Sequence, residues 1–406
     1  MIIVRTSLAI KSLAARKFPI LLSLFAIALS VSLIVVTEKV RGGVRQGFEN
    51  TIASTDLVVG ARTGPLSVVL YSIFRLGDPL QSVSWETYQL VSNHRDVAWT
   101  VPLSLGDSHR GYRVLGTDDS YIQHYRYGED QTIPFAQGHW VEEVKGAVIG
   151  ADVARALGYE TGDSIVLSHG IVSAGFTDHQ DDPFTVVGIF APTGTPVDRT
   201  VHVSLAGLEA IHSSTGSDEQ REPEAVTAFL VGMKSRPLVL RFQRLLNTYQ
   251  EEPLTAVIPG VALSRLWSVI APIENMLRGI TVLVFVVGMI GLSTTLLSSL
   301  AGRKRELAVL RAVGAKPRDL LAVLMVEALI TSLGGVLLGL VLAYLSLLAL
   351  GPWLRSSLGL VLEGAAPSSF DALVFVCVLG VGIVAGLIPG AAAYRQGLNE
   401  SLSSDA

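Results

Sequence analysis

The sequence predicts an α-helical membrane protein with four transmembrane helices and an α+β extracytoplasmic domain between helices 1 and 2. Three observations predict it. Half of the 406 residues are hydrophobic and only 16% are charged, with a mean hydropathy of +0.49, which lies outside the profile of ordinary soluble domains. Four runs, residues 18–36, 279–302, 328–354 and 372–394, contain no Asp, Glu, Lys, Arg or His. Each approaches or exceeds the roughly 20 residues that a helix needs to cross a hydrocarbon core of about 30 Å. A helix satisfies its own backbone hydrogen bonds where lipid cannot, so these runs read as helices. The third observation is charge asymmetry: residues 38–278 carry 19 Lys+Arg against 28 Asp+Glu, whereas residues 303–319 carry six Lys+Arg against two acids.

Taken in order, residues 1–17 hold Arg5, Lys11, Arg16 and Lys17 with no acid, and read as a cytoplasmic amphipathic N-terminal helix. Residues 18–37 form the first transmembrane helix. This run is longer than a signal-peptide apolar core and no small-x-small site follows it, so it reads as a retained anchor. Residues 38–278 form the acidic outer domain. Residues 279–302, 320–354 and 372–394 form helices 2, 3 and 4. They are joined by a basic inner loop at 303–319 and a short outer loop at 355–371, and a cytoplasmic tail follows at 395–406. With both termini inside, the positive-inside pattern places the chain in a bacterial inner membrane.

Within the outer domain, short apolar runs bounded by turn residues predict strands at 56–60, 112–116, 164–170, 184–190, 200–205 and 226–233. Helical spacing appears at 84–93, 152–157 and 238–248, the last with Leu238, Phe242, Leu245 and Leu246 on one face. The order suggests a βαβ-like unit completed by residues 225–259, with a β-rich piece inserted at about 126–224. The only cysteine, Cys377, lies in the last apolar run, so this domain has no disulfide and relies on its own core.

The chain contains no G-x-x-x-x-G-K-[ST], H-E-x-x-H or G-x-S-x-G motif, which disfavours an ATPase or hydrolase site of those kinds on these residues. The basic loop is the more informative segment. From Gly302 to Val313 the spacing is helical, with Leu307, Leu310 and Val313 on one side; Gly314 suits a helix C-terminus and Pro317 stops continuation. An acid, Glu306, sits inside the cluster. A short, capped apolar stripe with an internal carboxylate suits a protein groove better than an anionic lipid surface.

The stretches RELAVLRAVGAKPRDLLAVLMVEA (305–328), GLIPGAAAYRQGLNESL (386–402) and AQGHWVEEVKGAVIGADVARALGYETGDSIVL (136–167) resemble the MacB/FtsX/LolC-type permeases of ABC transporters. The resemblance implies a ferredoxin-like outer part with a β-rich insertion, and a permease subunit that carries no enzyme activity itself. It implies a dimeric cytosolic ABC ATPase holding ATP and Mg, whose cleft receives the inner-loop helix, and a second, identical permease chain. Periplasmic partner proteins follow from it too, and no nucleic acid. Arg305, Glu306, Leu307, Leu310, Arg311, Gly314 and Ala315 are the ATPase-coupling residues it implies. ATP hydrolysis would move the outer domain, in mechanotransmission, export or extraction of a substrate; an FtsX-like regulatory role is the alternative. The chain departs from the family with His139 in place of an Arg and RQGLN in place of an Arg-Pro near its end.

Three further features have a structural reading. Glu327 reads as an interfacial or helix-pairing carboxylate, GVLLG (335–339) as a close helix contact, and PTGTP (192–196) as a rigid turn. In SHGIVSAGFTDHQDDP, His169 and His179 with Asp181 and Asp182 have ligand types that zinc accepts, provided the intervening residues fold back; a permease of a zinc-handling system would follow. Labelling tests the orientation. In a Cys377→Ala background, Ser217→Cys is expected to react with an impermeant maleimide in intact spheroplasts and Lys304→Cys is not; reaction at 304 reverses the topology.

Overall fold

The computed structural model describes residues 17–51, 55–169, 183–212, 223–302, 317–358 and 367–403. It divides into two compact units, one of residues Met1–Gly43, Ala271–Pro352 and Leu362–Ala406, the other of Val44–Ile270 and Trp353–Val361. Among the described residues, four helices are long and apolar enough to cross a membrane: α1 (Lys17–Asn50), α8 (Pro259–Gly302), α9 (Pro317–Leu358) and α10 (Ser369–Ser403). The predicted fold class, four such helices with an α+β domain after the first, is the class observed.

The domain is built on one sheet of eleven strands. Its first part pairs β13 (Leu254–Val257), β1 (Leu57–Ala61), β12 (Ala228–Met233) and the start of β3 (Val97–His109) in that order, all antiparallel. With α2 (Pro65–Ser72) and α3 (Trp85–Ser92) between β1 and β3, and α7 (Val239–Asn247) between β12 and β13, this is a ferredoxin-like arrangement. Alternation along the strands gives each face its own core. Val58 and Leu230 pack with Val68, Val69 and Tyr71 of α2, whereas Leu57, Val59 and Val231 pack with Tyr88 and Val91 of α3 and Phe242 and Leu246 of α7. The two-residue strands β2 (Val83–Ser84) and β11 (Ala225–Val226) pair with each other beside it. The open edge of β13 is closed by a side chain: Asn247 Oδ1 accepts from the Ala256 N–H at 2.8 Å, and Asn247 Nδ2 donates to the Ala256 carbonyl at 3.2 Å. An amide side chain thus stands where a neighbouring strand would add.

The second half of β3 carries the sheet into the β-rich insertion, through β4 (Tyr112–Thr117), β10 (Thr200–Ser204), β6 (Gly146–Ile149), β9 (Phe184–Phe190) and the edge strand β5 (Phe135–Gly138). Helices α5 (Ala151–Leu157) and α6 (Leu205–His212) cover one face, burying Val153, Leu208 and Ile211 against Val114, Ile149 and Val203. Helix α4 (Ser120–His124) lies on the other side, with Tyr121 in the core that also holds Leu115, Val148 and Phe190.

The structure differs from the sequence reading at several places, and strands β5 and β6 and helices α2, α4 and α6 are among the elements that reading lacked. The strand expected at 164–170 is broken into β7 (Ser164–Ile165), which pairs with β9, and β8 (Ser168–His169), which pairs with β3. The carbonyl of Val166 between them bonds His109 Nδ1 at 2.7 Å instead of a strand. The strand at 226–233 is interrupted at Thr227, whose Oγ1 bonds the backbone of Leu105. The longest strand, β3, has no counterpart among the predicted strands because Pro102 and Gly106 interrupt its pattern. On α7, Leu245 is exposed rather than inward: a 3-10 turn precedes the helix, so Val239, Phe242 and Leu246 form the buried stripe.

The insertion's core encloses His202 of β10, fully buried among the rings of Tyr121, Trp140 and Phe190 at 5.2–6.4 Å between centroids. Neither of its ring nitrogens has a hydrogen-bond partner among the described residues. Burial, aided by the Arg75 cation, pushes its pKa down to about 3. The unfolded chain takes up this proton near pH 6.5 and the folded one does not until about pH 3, so stability is full above the first value and falls with pH between the two. The domain is expected to lose about 1.4 kcal/mol per pH unit over that window, and His202→Phe to flatten the slope; urea unfolding at several pH values measures it.

Candidate functional site

The helical bundle is held by close approach. A Cβ built on Gly339 of α9 would lie 2.7 Å from the carbonyl oxygen of Ala28 in α1, and one on Gly382 of α10 would run into the side chain of Ser332 in α9. Glycine at 339 lets the two backbones meet, and glycine at 382 leaves room for the serine. The GVLLG pattern is therefore an intramolecular α1–α9 contact, as its small residues lead one to expect. Ile27, Val31 and Val35 of α1, Met289 of α8, Ala328 and Val336 of α9, and Val378 and Ala385 of α10 make up the interior. Ser293 Oγ of α8 donates to the Ala385 carbonyl at 3.2 Å. Glu327, near the start of α9, is buried, at 2% exposure.

A layer of charge crosses the bundle where the apolar runs end. The Oδ2 atom of Asp371, in the first turn of α10, accepts from Tyr344 Oη of α9 at 2.6 Å and from the Ser368 N–H at 2.8 Å, and lies 3.4 Å from Lys39 Nζ of α1. Beside it, Arg41 of α1 bridges Glu38 at 2.6 Å and Glu274 of α8 at 3.3 Å, and Arg278 reaches Glu38 at 3.3 Å. Each helix of the bundle contributes to this layer. Its signal in the sequence is opposite charge at the ends of different apolar runs: TEKVR at 37–41, IENMLR at 273–278 and SFD at 369–371.

The residues singled out from sequence fare differently. Arg305, Glu306, Leu307, Leu310, Arg311, Gly314 and Ala315 lie outside the described residues; α8 ends at Gly302 and α9 begins at Pro317 on either side of them. The backbone of His169 pairs across from Asp107, and His179, Asp181 and Asp182 lie outside the described residues. Among the described residues no group of three or more His, Cys, Asp or Glu is placed to hold a metal, so the zinc site stands on residues beyond them. His139, the departure from the family pattern, is exposed next to the edge strand β5. The PTGTP segment is the rigid turn expected. The Asp198 carboxylate, 2% exposed, accepts from the Thr193 N–H, Thr193 Oγ1 and the Gly194 N–H, each at 2.8 Å. Burial raises the Asp198 pKa against the pull of these donors.

An apolar four-helix bundle whose first and second helices bracket an α+β domain defines a multi-pass membrane protein with one large globular domain. Residues 20–235, more than half of the chain, match the MacB-like periplasmic core domain, and residues 278–402 match the FtsX-like permease C-terminal domain. The chain belongs to the MacB-like family of ABC transporter permeases. Among its relatives, the pyoverdine export ATP-binding/permease protein PvdT of Pseudomonas syringae is 26% identical over 67% of this chain. An ABC transporter permease of Methanocaldococcus jannaschii is 23% identical over 68% of it. The macrolide export ATP-binding/permease protein MacB of Psychrobacter cryohalolentis is 30% identical over 34% of it. The match spans 40% of PvdT, 67% of the archaeal permease and 20% of that MacB. The crystal structure of the periplasmic region of MacB from Actinobacillus actinomycetemcomitans superposes on 54% of this chain, and on 98% of its own, with a TM-score of 0.36 and 10% identity.

The charge layer yields a prediction. Asp371→Ala strips one acceptor from Tyr344, Ser368 and Lys39 together and leaves a cation in a nearly closed site, at a cost of about 3 kcal/mol. The double variant Asp371→Leu/Lys39→Met removes both charges and is expected to recover most of the loss. Thermal unfolding in detergent compares the two.

Proposed function

We propose that this chain is the permease subunit of an ABC transporter in the bacterial inner membrane, with its α+β domain in the periplasm and both ends of the bundle's basic loop in the cytoplasm. ATP is bound and hydrolysed by an ATPase that these 406 residues do not contain, and the work is delivered as movement of the periplasmic domain. The observation that carries the reading is the pairing, in one chain, of a periplasmic core match and a permease match. A further fact supports it: the relatives PvdT and MacB are named as ATP-binding/permease proteins, while the present sequence has no P-loop.

In this reading the segment 303–316, with Arg305, Glu306 and Arg311 around an apolar stripe, docks in the ATPase, and two permease chains form the working pair. The cargo is a molecule handled on the periplasmic side. Glu306→Lys is expected to leave the protein in the membrane but to cut stimulation of the partner ATPase by about tenfold or more, since a reversed charge in a docked groove costs more than 1.4 kcal/mol. ATPase assays on the co-purified complex give the answer; unaltered stimulation and co-purification return the loop to a lipid anchor.

A further inference from the structure

The two helices on one face of the ferredoxin-like part, α3 and α7, form a layer whose outer surface is left exposed by the described residues. They lie side by side and antiparallel. At one end Glu252, which follows α7, accepts from the Ser84 N–H at 2.9 Å and from Ser84 Oγ at 2.6 Å, at the start of α3. At the other end His94, which follows α3, lies with its ring 4.8 Å from that of Phe242 in α7. Three leucines stand out from this layer, Leu90 of α3 at 52% exposure and Leu240 and Leu245 of α7 at 68% and 46%. Scattered single leucines are ordinary on a surface, but three on two adjacent short helices are concentrated.

The charges around them are sorted by end. Lys234, Arg236 and Arg241 are exposed at and just before the start of α7, and Arg95 is exposed after α3, all toward the end marked by His94 and Phe242, while Arg244 is exposed past the middle of α7. Arg236, Arg241 and Arg244 have no ion-pair partner among the described residues. At the opposite end stand Glu86, Glu251 and Glu252, with Tyr249 Oη donating to Glu251 at 2.8 Å. This basic end stands out against a domain that carries 26 Asp+Glu and 16 Lys+Arg over residues 44–270.

We propose that this layer docks on the same layer of a second copy of the chain, antiparallel about a two-fold axis, with Leu245 nearest the axis and Leu90 and Leu240 packing to either side of it. A two-fold contact brings each patch against itself reversed, so Arg236 and Arg241 of one copy meet Glu86 and Glu251 of the other, twice over. A bilayer of anionic lipid would match the basic end but would meet Glu86 and Glu251 on the same face, which disfavours it. The inference rests on the reading of the protein as one of a pair of permease chains, and goes beyond it by assigning the surface through which the domains meet.

The full chain in lipid nanodiscs tests it. In a Cys377→Ala background, Leu245→Cys is expected to form a disulfide-linked dimer under mild oxidation, and Ala136→Cys on the edge strand β5 is not. Adding Arg241→Glu is expected to cut the yield by about tenfold, and the exchange Arg241→Glu/Glu251→Arg to restore it. Native mass spectrometry of the same discs separates the two ways of failing. A dimer by mass with no link at Leu245→Cys or Leu240→Cys overturns this surface while leaving the pair intact, and a monomer by mass overturns the pair itself. A link that ignores Arg241→Glu but vanishes when anionic lipid is replaced by phosphatidylcholine reassigns the face to the bilayer and overturns the proposal.

Discussion

Apolar helices in lipid gain little by exchanging lipid for one another, so a bundle of them holds only where backbones come close or polar groups pair. The rest of this structure depends on that constraint. Gly339 against Ala28 and Gly382 against Ser332 supply the close approach, one joining α1 to α9 and the other α9 to α10. Helix α8 packs more loosely: a Cβ built on its Gly288 would lie 3.8 Å from Ala26, where those built on Gly339 and Gly382 would come under 3 Å from their neighbours. It is held instead through polar bonds, Ser293 to Ala385 and Glu274 with Arg41.

In the domain the comparable constraint is that an inserted piece must share a core or a sheet with its host, or it swings on two loops. Strand β3 supplies the sharing. Its residues 97–103 pair with β12 in the ferredoxin-like part, and its residues 104–109 pair with β4 in the insertion. The irregularity between Leu105 and Ser108 falls just past the change of partner, and Thr227 Oγ1 bonds the Leu105 backbone there, so the ladder's polar groups are satisfied through the turn. The insertion is therefore a continuation of the host sheet and not an appendage.

How far the sequence disclosed this depended on the kind of signal each element carries. Uncharged runs of twenty residues have few alternatives, and the four helices were legible. Strands β1, β4, β9 and β10 were legible because β-branched and aromatic residues end at Gly, Pro or Asp. Strand β3 was not, because Pro102 and Gly106 are breakers in any local reading and only pairing on both sides overrides them. The charge layer escaped for a related reason: Lys39 lies hundreds of residues from Tyr344 and Asp371 in sequence, and each alone looks like an ordinary helix-end residue. The resemblance in the basic loop spoke to function while bearing on residues outside those described, so the best-predicted site and the best-described site are different parts of the chain.

The ion pair in the bundle shows why charge persists where it is costly. Taking Lys39 and Asp371 out of water costs more than their attraction commonly returns, and a well-packed apolar pair would serve stability as well. Register is a different matter. Ile27, Val31 and Val35 form the buried stripe of α1 at four-residue spacing, and the next position on that stripe is Lys39. A shift of α1 by one residue turns this face by about 100°, which carries Lys39 off Asp371 and moves Ala28 off Gly339 together. The two contacts lie about three helical turns apart and fail in the same displacement. An apolar residue at 39 would tolerate several settings of α1 against α9 and α10, whereas a lysine facing one buried carboxylate tolerates one. The pair therefore acts less as an adhesive than as a stop that defines where α1 sits along its neighbours.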